Sequence, residues 1–260
     1  MKTPITYYGG KQNMLRYILP LLPNHKIYVE PFLGGGAVFW AKTPSKVEII
    51  NDTNQDITNF YEVVQTQYRR LQRYIKATLH SRDLHRRAQV IYANPDMFTP
   101  VQRAWAVWVL ANQSFASIFN GGWGYANNSD GVEKRLDNKR QNFVKDYAVR
   151  LERVQIECTD ALKIIKARDS ENTLFYCDPP YFNSDCGHYK GYTEQDFKNL
   201  LDMLVSIKGK FLLSSYPSGI LKTYIEKYGW NWTSVEKKVA VSKFSTKRKI
   251  EVLIANYPLA

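Results

Sequence analysis

Asp178, Pro179, Pro180 and Tyr181 stand in a row directly after the apolar run Thr173-Leu174-Phe175-Tyr176-Cys177. Two prolines stiffen the backbone and remove two N–H donors, so a carboxylate and a phenol are presented with little freedom. A carboxylate beside a rigid, carbonyl-bearing turn can accept both hydrogens of an exocyclic amine, and a tyrosine face can stack on the same ring. A Pro-Pro turn by itself means nothing. The four-residue string at the end of a strand is much more specific.

A second constellation lies earlier in the chain. Leu33-Gly34-Gly35-Gly36 follows the strand-like Lys26-Ile27-Tyr28-Val29-Glu30, and Ala37-Val38-Phe39-Trp40-Ala41 reads as the start of a buried helix. Such a turn brings backbone N–H groups and a helix N-terminus close to a ligand. Its glycines are consecutive, and Phe39 stands where a dinucleotide fingerprint wants its last glycine, so the spacing argues against NAD. Asp52 closes the next strand candidate, Lys46-Val47-Glu48-Ile49-Ile50, where a carboxylate can accept two hydrogen bonds from vicinal ribose hydroxyls or can serve a helix start before Asn54. Glycines and acid in one strand–turn–helix–strand unit favour an adenosine-type ligand. Tyr7-Tyr8-Gly9-Gly10-Lys11 precedes all this; its lysine can reach a carboxylate and its aromatics offer a stacking face.

The elements that must carry these residues alternate strand and helix at both ends of the chain. Strands are expected at 154–158, 173–177, 210–214, 235–241 and 250–257, with helices at 194–206 and 218–228. Between the two α/β stretches the period changes. Phe60, Val63, Val64, Tyr68, Leu71, Ile75 and Leu79 fall at three- and four-residue steps, which predicts one long amphipathic helix, and 101–111 reads as a second, buried one. Asn120-Gly121 is a hairpin signal. The expected architecture is therefore an α/β catalytic domain, 1–58 with 151–260, interrupted by an inserted helical and hairpin-bearing block, 59–150.

The 260 residues carry 36 basic and 24 acidic side chains, a net charge of +12, and 44% of them are hydrophobic. This is ordinary globular composition with a polyanion as the natural partner. Residues 61–155 hold 15 basic and 8 acidic side chains, so this block carries more than half of the excess. That fits a substrate-reading module set into a cofactor-binding sheet. The 3 cysteines (Cys158, Cys177, Cys186) form no CxxC pair, and His25, His80, His85 and His188 show no ligand spacing, so neither a disulfide framework nor a metal is expected. No apolar run reaches the ~18 residues of a membrane span, and no signal core opens the chain.

Taken together, Tyr7–Lys11, Glu30-Pro31-Phe32-Leu33-Gly34-Gly35-Gly36, Asn51-Asp52, Asp178–Tyr181, Tyr192-Thr193-Glu194-Gln195-Asp196-Phe197 and Glu251-Val252-Leu253-Ile254 closely resemble the Dam-like DNA adenine methyltransferases. The resemblance implies a Rossmann-like S-adenosylmethionine-dependent sheet with an inserted DNA-recognition domain. The implied reaction is transfer of the methyl group to the exocyclic N6 amine of a flipped-out adenine, leaving S-adenosylhomocysteine and using no metal. It assigns Asp178, Pro179 and Tyr181 to catalysis. Tyr7, Lys11, Phe32, Gly34, Gly36, Asp52, Asp160 and Asp178 fall to the cofactor, with Lys11 near the methionine carboxylate, Asp52 at the ribose and Asp160 at the cofactor's adenine.

Phe119-Asn120-Gly121 resembles the family's DNA-reading hairpin, so Asn120 and Trp123 are expected to choose bases. Lys134, Arg135, Lys139, Arg140, Lys247 and Arg248 are expected to hold phosphates of double-stranded DNA. Trp105 and Trp108 are expected in the core. The expected setting is the cytoplasm of a bacterium or a phage-infected cell, and the expected form is a monomer in solution with pairing on DNA left open. A cytosine-N4 methyltransferase would share the fold, but such enzymes more often resemble a serine at Asp178. A non-enzymatic DNA-binding module would not need Asp178 and Lys11 beside an intact glycine turn.

Overall fold

The structure is a computed structural model that describes residues 1–125, 131–183, 191–238 and 248–259. In chain order its helices and strands are α1 (Leu15–Ile18), β1 (Ile27–Glu30), α2 (Ala37–Ala41), β2 (Val47–Asn51), α3 (Gln55–Thr66), α4 (Tyr68–Lys76), α5 (Arg82–Ala93) and α6 (Pro100–Gln113). There follow α7 (Val132–Gln141), α8 (Asp146–Leu151), β3 (Val154–Glu157), α9 (Ala161–Ala167), β4 (Thr173–Cys177), α10 (Glu194–Ser206), β5 (Lys210–Ser215), α11 (Gly219–Tyr228), β6 (Asn231–Lys238) and β7 (Arg248–Ala255). The sheet order is β3-β2-β1-β4-β5-β7-β6. β1 runs parallel to β2 and β4, and β4 parallel to β5, whereas β7 is antiparallel to both β5 and β6. This is a Rossmann-like, doubly wound order with an inverted strand let in beside β5.

The chain divides into two compact units. One comprises Met14–Leu33, Lys42–Asn51 and Thr159–Ala260. Its strands are buried along nearly their whole length, as parallel strands covered by helices must be. Val29, Ile49, Phe175, Cys177, Phe211, Leu213, Val252 and Ile254 share a core with Phe197, Leu200, Leu201 and Leu204 of α10, with Leu221 of α11, and with Ile164 and Ile165 of α9. Residues two apart on each strand thus face the same helices. Full burial of each large side chain there stabilises by about 1.5–3 kcal/mol. α10 starts where the sequence says it must. Thr193 accepts from the Asp196 N–H, and the Asp196 carboxylate accepts from the Thr193 N–H at 2.7 Å, a reciprocal cap.

The other unit comprises Met1–Asn13, Gly34–Ala41 and Asp52–Cys158. It is built on α6, whose residues 104–111 are all buried, Trp105 and Trp108 among them. Thr99 and Gln102 cap its start and Pro100 occupies the first turn. The short α2 belongs here too: Trp40 packs edge-on to Tyr147 of α8 at 5.2 Å, and the Arg150 guanidinium lies 4.1 Å over the Phe39 ring.

The long helix expected over 60–79 is two helices. Gln67, with φ −130° and ψ 29°, is not helical and separates α3 from α4. Thr66, a β-branched residue, turns its hydroxyl back onto the Glu62 carbonyl at 2.7 Å, the kind of local bond that competes with continuing a helix. The break preserves the buried face, so Val63, Val64, Tyr68, Leu71 and Ile75 stay in step, while Leu79 falls off it and is exposed. Asn54 caps α3 well before the expected start at Phe60. Of the segment expected as a hairpin, the described residues show one antiparallel bridge, Ser114 to Trp123, and residues 126–128 lie outside them.

Candidate active site

Each unit presents its own cluster of sequence-predicted residues. In the helical unit the cluster is the glycine turn. Gly34 is in the left-handed region (φ +49°), where a side chain would be strained, and a Cβ there would lie 2.8 Å from the Tyr7 ring. Its N–H donates to Asp52 Oδ2 at 2.8 Å, and its carbonyl accepts the Tyr61 hydroxyl at 3.1 Å. Gly36 (φ +64°) opens α2, its carbonyl accepting the Trp40 N–H.

Asp52 accepts a second backbone donor, Asn54 N–H at 2.9 Å, on Oδ1. Burial pushes its carboxyl above the ordinary aspartate range, against the two backbone donors that pull it down. Each Asp52 oxygen takes only one of these backbone bonds, and a carboxylate offers about four acceptor positions, so the group retains capacity for hydroxyl donors.

Tyr7-Tyr8-Gly9-Gly10 is a tight turn, Gly10 N–H to the Tyr7 carbonyl at 3.0 Å with Gly9 at φ 73°. It delivers Lys11 into a buried position, 6% exposed, where its ammonium donates to the Gly9 carbonyl at 3.3 Å. The Tyr7 ring meets Phe119 edge-on at 5.7 Å, and Phe119 meets Tyr92 at 5.5 Å. Tyr92 in turn accepts from Asn54 Nδ2 at 3.0 Å. Tyr61 and Tyr92 are additions to the expected set. Both sit on helices with nothing local in the sequence to mark them.

In the sheet-bearing unit the cluster lies at the end of β4. Asp178 follows Cys177, Pro179 is buried, and the Tyr181 hydroxyl lies 3.2 Å from Asp178 Oδ1 and 3.2 Å from Glu251 Oε1 on β7. Burial, then the Asp178 and Glu251 carboxylates, raise the Tyr181 phenol well above its usual range, so it stays protonated and donates. The Tyr216 ring lies 4.3 Å from that of Tyr181. Burial raises the Cys177 thiol as well, with Asp178 and Glu30 adding to it, so this buried sulfur is no thiolate nucleophile. Phe32 packs partly buried against the core of this unit. Asp160 is exposed and caps α9, accepting from Leu162 and Lys163 N–H on one oxygen.

The residues expected at DNA fall in different surroundings. Asn120 is exposed, in a turn closed by Gly121 N–H to the Ile118 carbonyl at 2.8 Å. The Trp123 ring stacks with those of His80 (4.6 Å) and Tyr125 (5.7 Å), and the Arg82 guanidinium lies 4.9 Å over it. On α7, Lys134 and Arg135 are exposed, but Arg140 is tied inward to the Thr78 carbonyl at 2.9 Å and to Asp137. Lys139 is half-buried, and that burial, with Lys2 nearby, lowers its ammonium from the ordinary range. Lys247 lies outside the described residues, and of Arg248 only the backbone, in β7, is described.

The fold is a doubly wound α/β sheet, with a glycine turn answered by an acid after β2 and an acid–Pro-Pro–Tyr string after β4. The match to known proteins is narrower: residues 7–241 fit the model of the D12 class N6 adenine-specific DNA methyltransferases, and the chain belongs to that family. It is 27% identical to the Type II methyltransferase M1.LlaDCHI of Lactococcus lactis subsp. cremoris, over 96% of this chain and 93% of that one. It is 25% identical to the DNA adenine methylase of Salmonella typhi, over 96% and 92%. To the DNA N-6-adenine-methyltransferase of Escherichia phage P1 it is 28% identical, over 75% of this chain and 27% of that one. Among the described residues no helix is long and apolar enough to cross a membrane.

Proposed function

We propose that this adenine-specific DNA methyltransferase takes its methyl group from S-adenosylmethionine and delivers it to the N6 amine of an adenine flipped out of duplex DNA. The observation that carries the reading is the Asp178–Tyr181 pair: a carboxylate fixed by two prolines, with a protonated phenol 3.2 Å away. An amine conjugated to a purine is a poor nucleophile because the ring shares its lone pair. Asp178, with the Pro179 carbonyl, accepts the amine hydrogens, draws the nitrogen toward tetrahedral geometry and aims its lone pair. Flipping the base costs a few kcal/mol, partly offset by stacking on Tyr181.

The residues present fit the cofactor. Asp52 keeps acceptor capacity for ribose hydroxyls, Lys11 is a buried ammonium suited to a carboxylate, and Gly34 and Gly36 leave the backbone open to close approach. Tyr7, Phe32 and Asp160 complete the assignment, with Asp160 at the adenine. Bound S-adenosylmethionine supplies an already electrophilic methyl group on a sulfonium, and the transfer asks for no metal.

Asn120 and Trp123 choose the sequence, while Lys134, Arg135, Lys247 and Arg248 hold phosphates; Lys139 and Arg140, drawn inward on α7, contribute less. The catalytic domain comprises 1–58 and 151–260, and the recognition domain 59–150. The enzyme is a monomer in solution, with pairing on DNA left open, and acts in the cytoplasm of a bacterium or a phage-infected cell. Tritium transfer from labelled cofactor to duplex DNA, followed by nucleoside analysis, tests the reading. Label recovered in N6-methyladenine supports it, and label in cytosine or none in DNA overturns it.

A further inference from the structure

Arg82 is the first residue of α5, next to the Ser81 cap, where the dipole of a helix disfavours a cation. Two other arginines of that helix are occupied locally: Arg86 and Arg87 both pair with Asp83, at 3.0 and 2.7 Å. Arg82 is exposed and turns onto the loop after α6 instead. Its guanidinium lies 4.9 Å from the centroid of the Trp123 ring and 5.7 Å from that of Tyr125.

That loop is fixed at its base by the Phe115 N–H on the Gly122 carbonyl at 2.8 Å and the Gly124 N–H on the Gln113 carbonyl at 2.7 Å. It turns apolar surface outward, with Phe115 72% and Tyr125 61% exposed. Ala116 (φ 53°) and Ser117 (φ 58°) are consecutive non-glycine residues in the left-handed region, and such strain clusters at functional sites. Trp123 has no polar atom to show a base edge: its Nε1 is buried and has no hydrogen-bond partner among the described residues. Its ring is a platform, and the polar group seated on that platform is the Arg82 guanidinium. Stacking on aromatic faces holds the guanidinium fork in one plane, the geometry that pairs two N–H donors with O6 and N7 of guanine in the major groove. We infer that Arg82 is a specificity-determining residue: it reads a guanine of the methylated sequence, with Trp123 and Tyr125 holding its guanidinium.

The inference rests on the function proposed above, and its test separates the two. Wild type, Arg82→Ala and Arg82→Lys are made as the full chain. Expression of wild type in a methylation-deficient bacterial host, followed by modification-sensitive sequencing, gives its recognition sequence. Methyl transfer is then measured as kcat/KM on the cognate duplex, on duplexes with each guanine replaced by another base, and on duplexes with each guanine replaced by 7-deazaguanine. Binding to cognate and scrambled duplexes is followed by fluorescence anisotropy over a salt series.

At one guanine of the sequence, Arg82→Ala loses about 10- to 100-fold of the wild-type discrimination, the range of one bidentate base contact, and keeps its selectivity at the other positions. Arg82→Lys keeps the charge without the planar fork, so its salt slope matches wild type while the same position relaxes. At that position 7-deazaguanine, which pairs normally but lacks the N7 acceptor, slows wild type and leaves Arg82→Ala at its rate on the unmodified duplex. A residue that merely braced the loop would leave the 7-deazaguanine penalty in place. A recognition sequence without guanine, an unchanged preference in Arg82→Ala, or a 7-deazaguanine penalty that persists in that variant overturns the inference. So does an equal loss on cognate and scrambled duplexes with a slope flatter by about 0.9, which marks a phosphate contact. Wild type that leaves adenine unmethylated overturns the proposed function instead.

Discussion

At Gly34 the backbone is gripped by side chains from elsewhere in the chain: Asp52 on its N–H, Tyr61 on its carbonyl, the Tyr7 ring against its α-carbon. After Cys177 the backbone is gripped by its own sequence, Pro179 and Pro180, and the Tyr181 hydroxyl reaches a distant residue, Glu251. The first turn is flexible by composition and rigid by context; the second is rigid by composition. A ligand that needs bare backbone can be met only by glycine, whose freedom must then be restrained from outside. A reacting amine needs a charged acceptor in one orientation, which two prolines supply locally. The two turns should therefore fail differently when altered, the second in chemistry and the first in binding and stability.

The largest effect belongs to the proline turn. Asp178→Ala should lower methyl transfer by roughly two to three decades, because a positioned charged acceptor in a dry site is worth a few kcal/mol. Binding to duplex DNA should survive, since phosphates are held elsewhere. Near-normal turnover of labelled cofactor by this variant would break the comparison at its stronger end. Gly34→Ala tests the other turn. A non-glycine residue in a left-handed conformation costs about 1–3 kcal/mol, and the new Cβ also presses on Tyr7. Thermal denaturation should show a fall of about 2–4 °C for each kcal/mol. A melting temperature equal to wild type would mean that the turn relaxes at no cost and is not held from outside.

The same contrast explains what could be read from sequence. Asp178–Tyr181 is contiguous, and its position after an apolar strand is a local pattern, so its chemistry could be argued from the string. α10 is legible for the same reason, with Thr193 and Asp196 three apart before an apolar run. Tyr61 meets Gly34 across 27 residues and Glu251 meets Tyr181 across 70, and neither partner carries a local mark. Gln67 breaks a helix with no glycine or proline to announce it. α5 is hard to see because only His85, Ala88 and Ile91 of its residues are buried, on a helix otherwise rich in charge. Asp52 has two readings in sequence, ribose acceptor or helix cap. The cap is Asn54, and Asp52 ties that residue's N–H to the glycine turn.

Asp52 should show the next effect. Asp52→Ala removes an acceptor used equally in ground and transition states, so cofactor affinity should fall about tenfold with little change in kcat. The pH dependence has a definite sign. The acceptor is the ionised carboxylate, and burial raises its pKa from the ordinary 3.8. Affinity for S-adenosylhomocysteine should therefore decline as pH falls through that raised value, beginning above the range where an exposed aspartate would titrate. For folding the sign is opposite: an acid with a raised folded-state pKa adds stability below its unfolded pKa and loses it as pH rises through the folded one. Calorimetry of the product across mildly acidic pH would show the decline in wild type and a flatter profile in Asp52→Ala. An unchanged dissociation constant would leave Asp52 with its structural bonds alone.

The smallest effect concerns α7 and sharpens the contrast between residues committed inward and those left to a partner. Arg140 is spent on Thr78 and Asp137, and Lys139 is half-buried, while Lys134 and Arg135 are exposed on the same helix. If the helix holds phosphates, the exposed pair should dominate. Neutralising Lys134 and Arg135 together should weaken binding to specific and scrambled duplexes alike. The plot of log affinity against log salt should flatten by about 0.9 for each phosphate that the variant no longer neutralises. Arg140→Ala should instead lower the melting temperature, because it uncouples α7 from the Thr78 carbonyl, and should change the salt slope less. Substitution of exposed Asn120 should alter which sites are methylated and leave the slope nearly untouched. Fluorescence anisotropy over a salt series distinguishes these outcomes. A wild-type slope in the Lys134/Arg135 variant would make α7 a buttress whose charge faces only water, and a slope change in Arg140→Ala would mean that DNA competes successfully with Asp137.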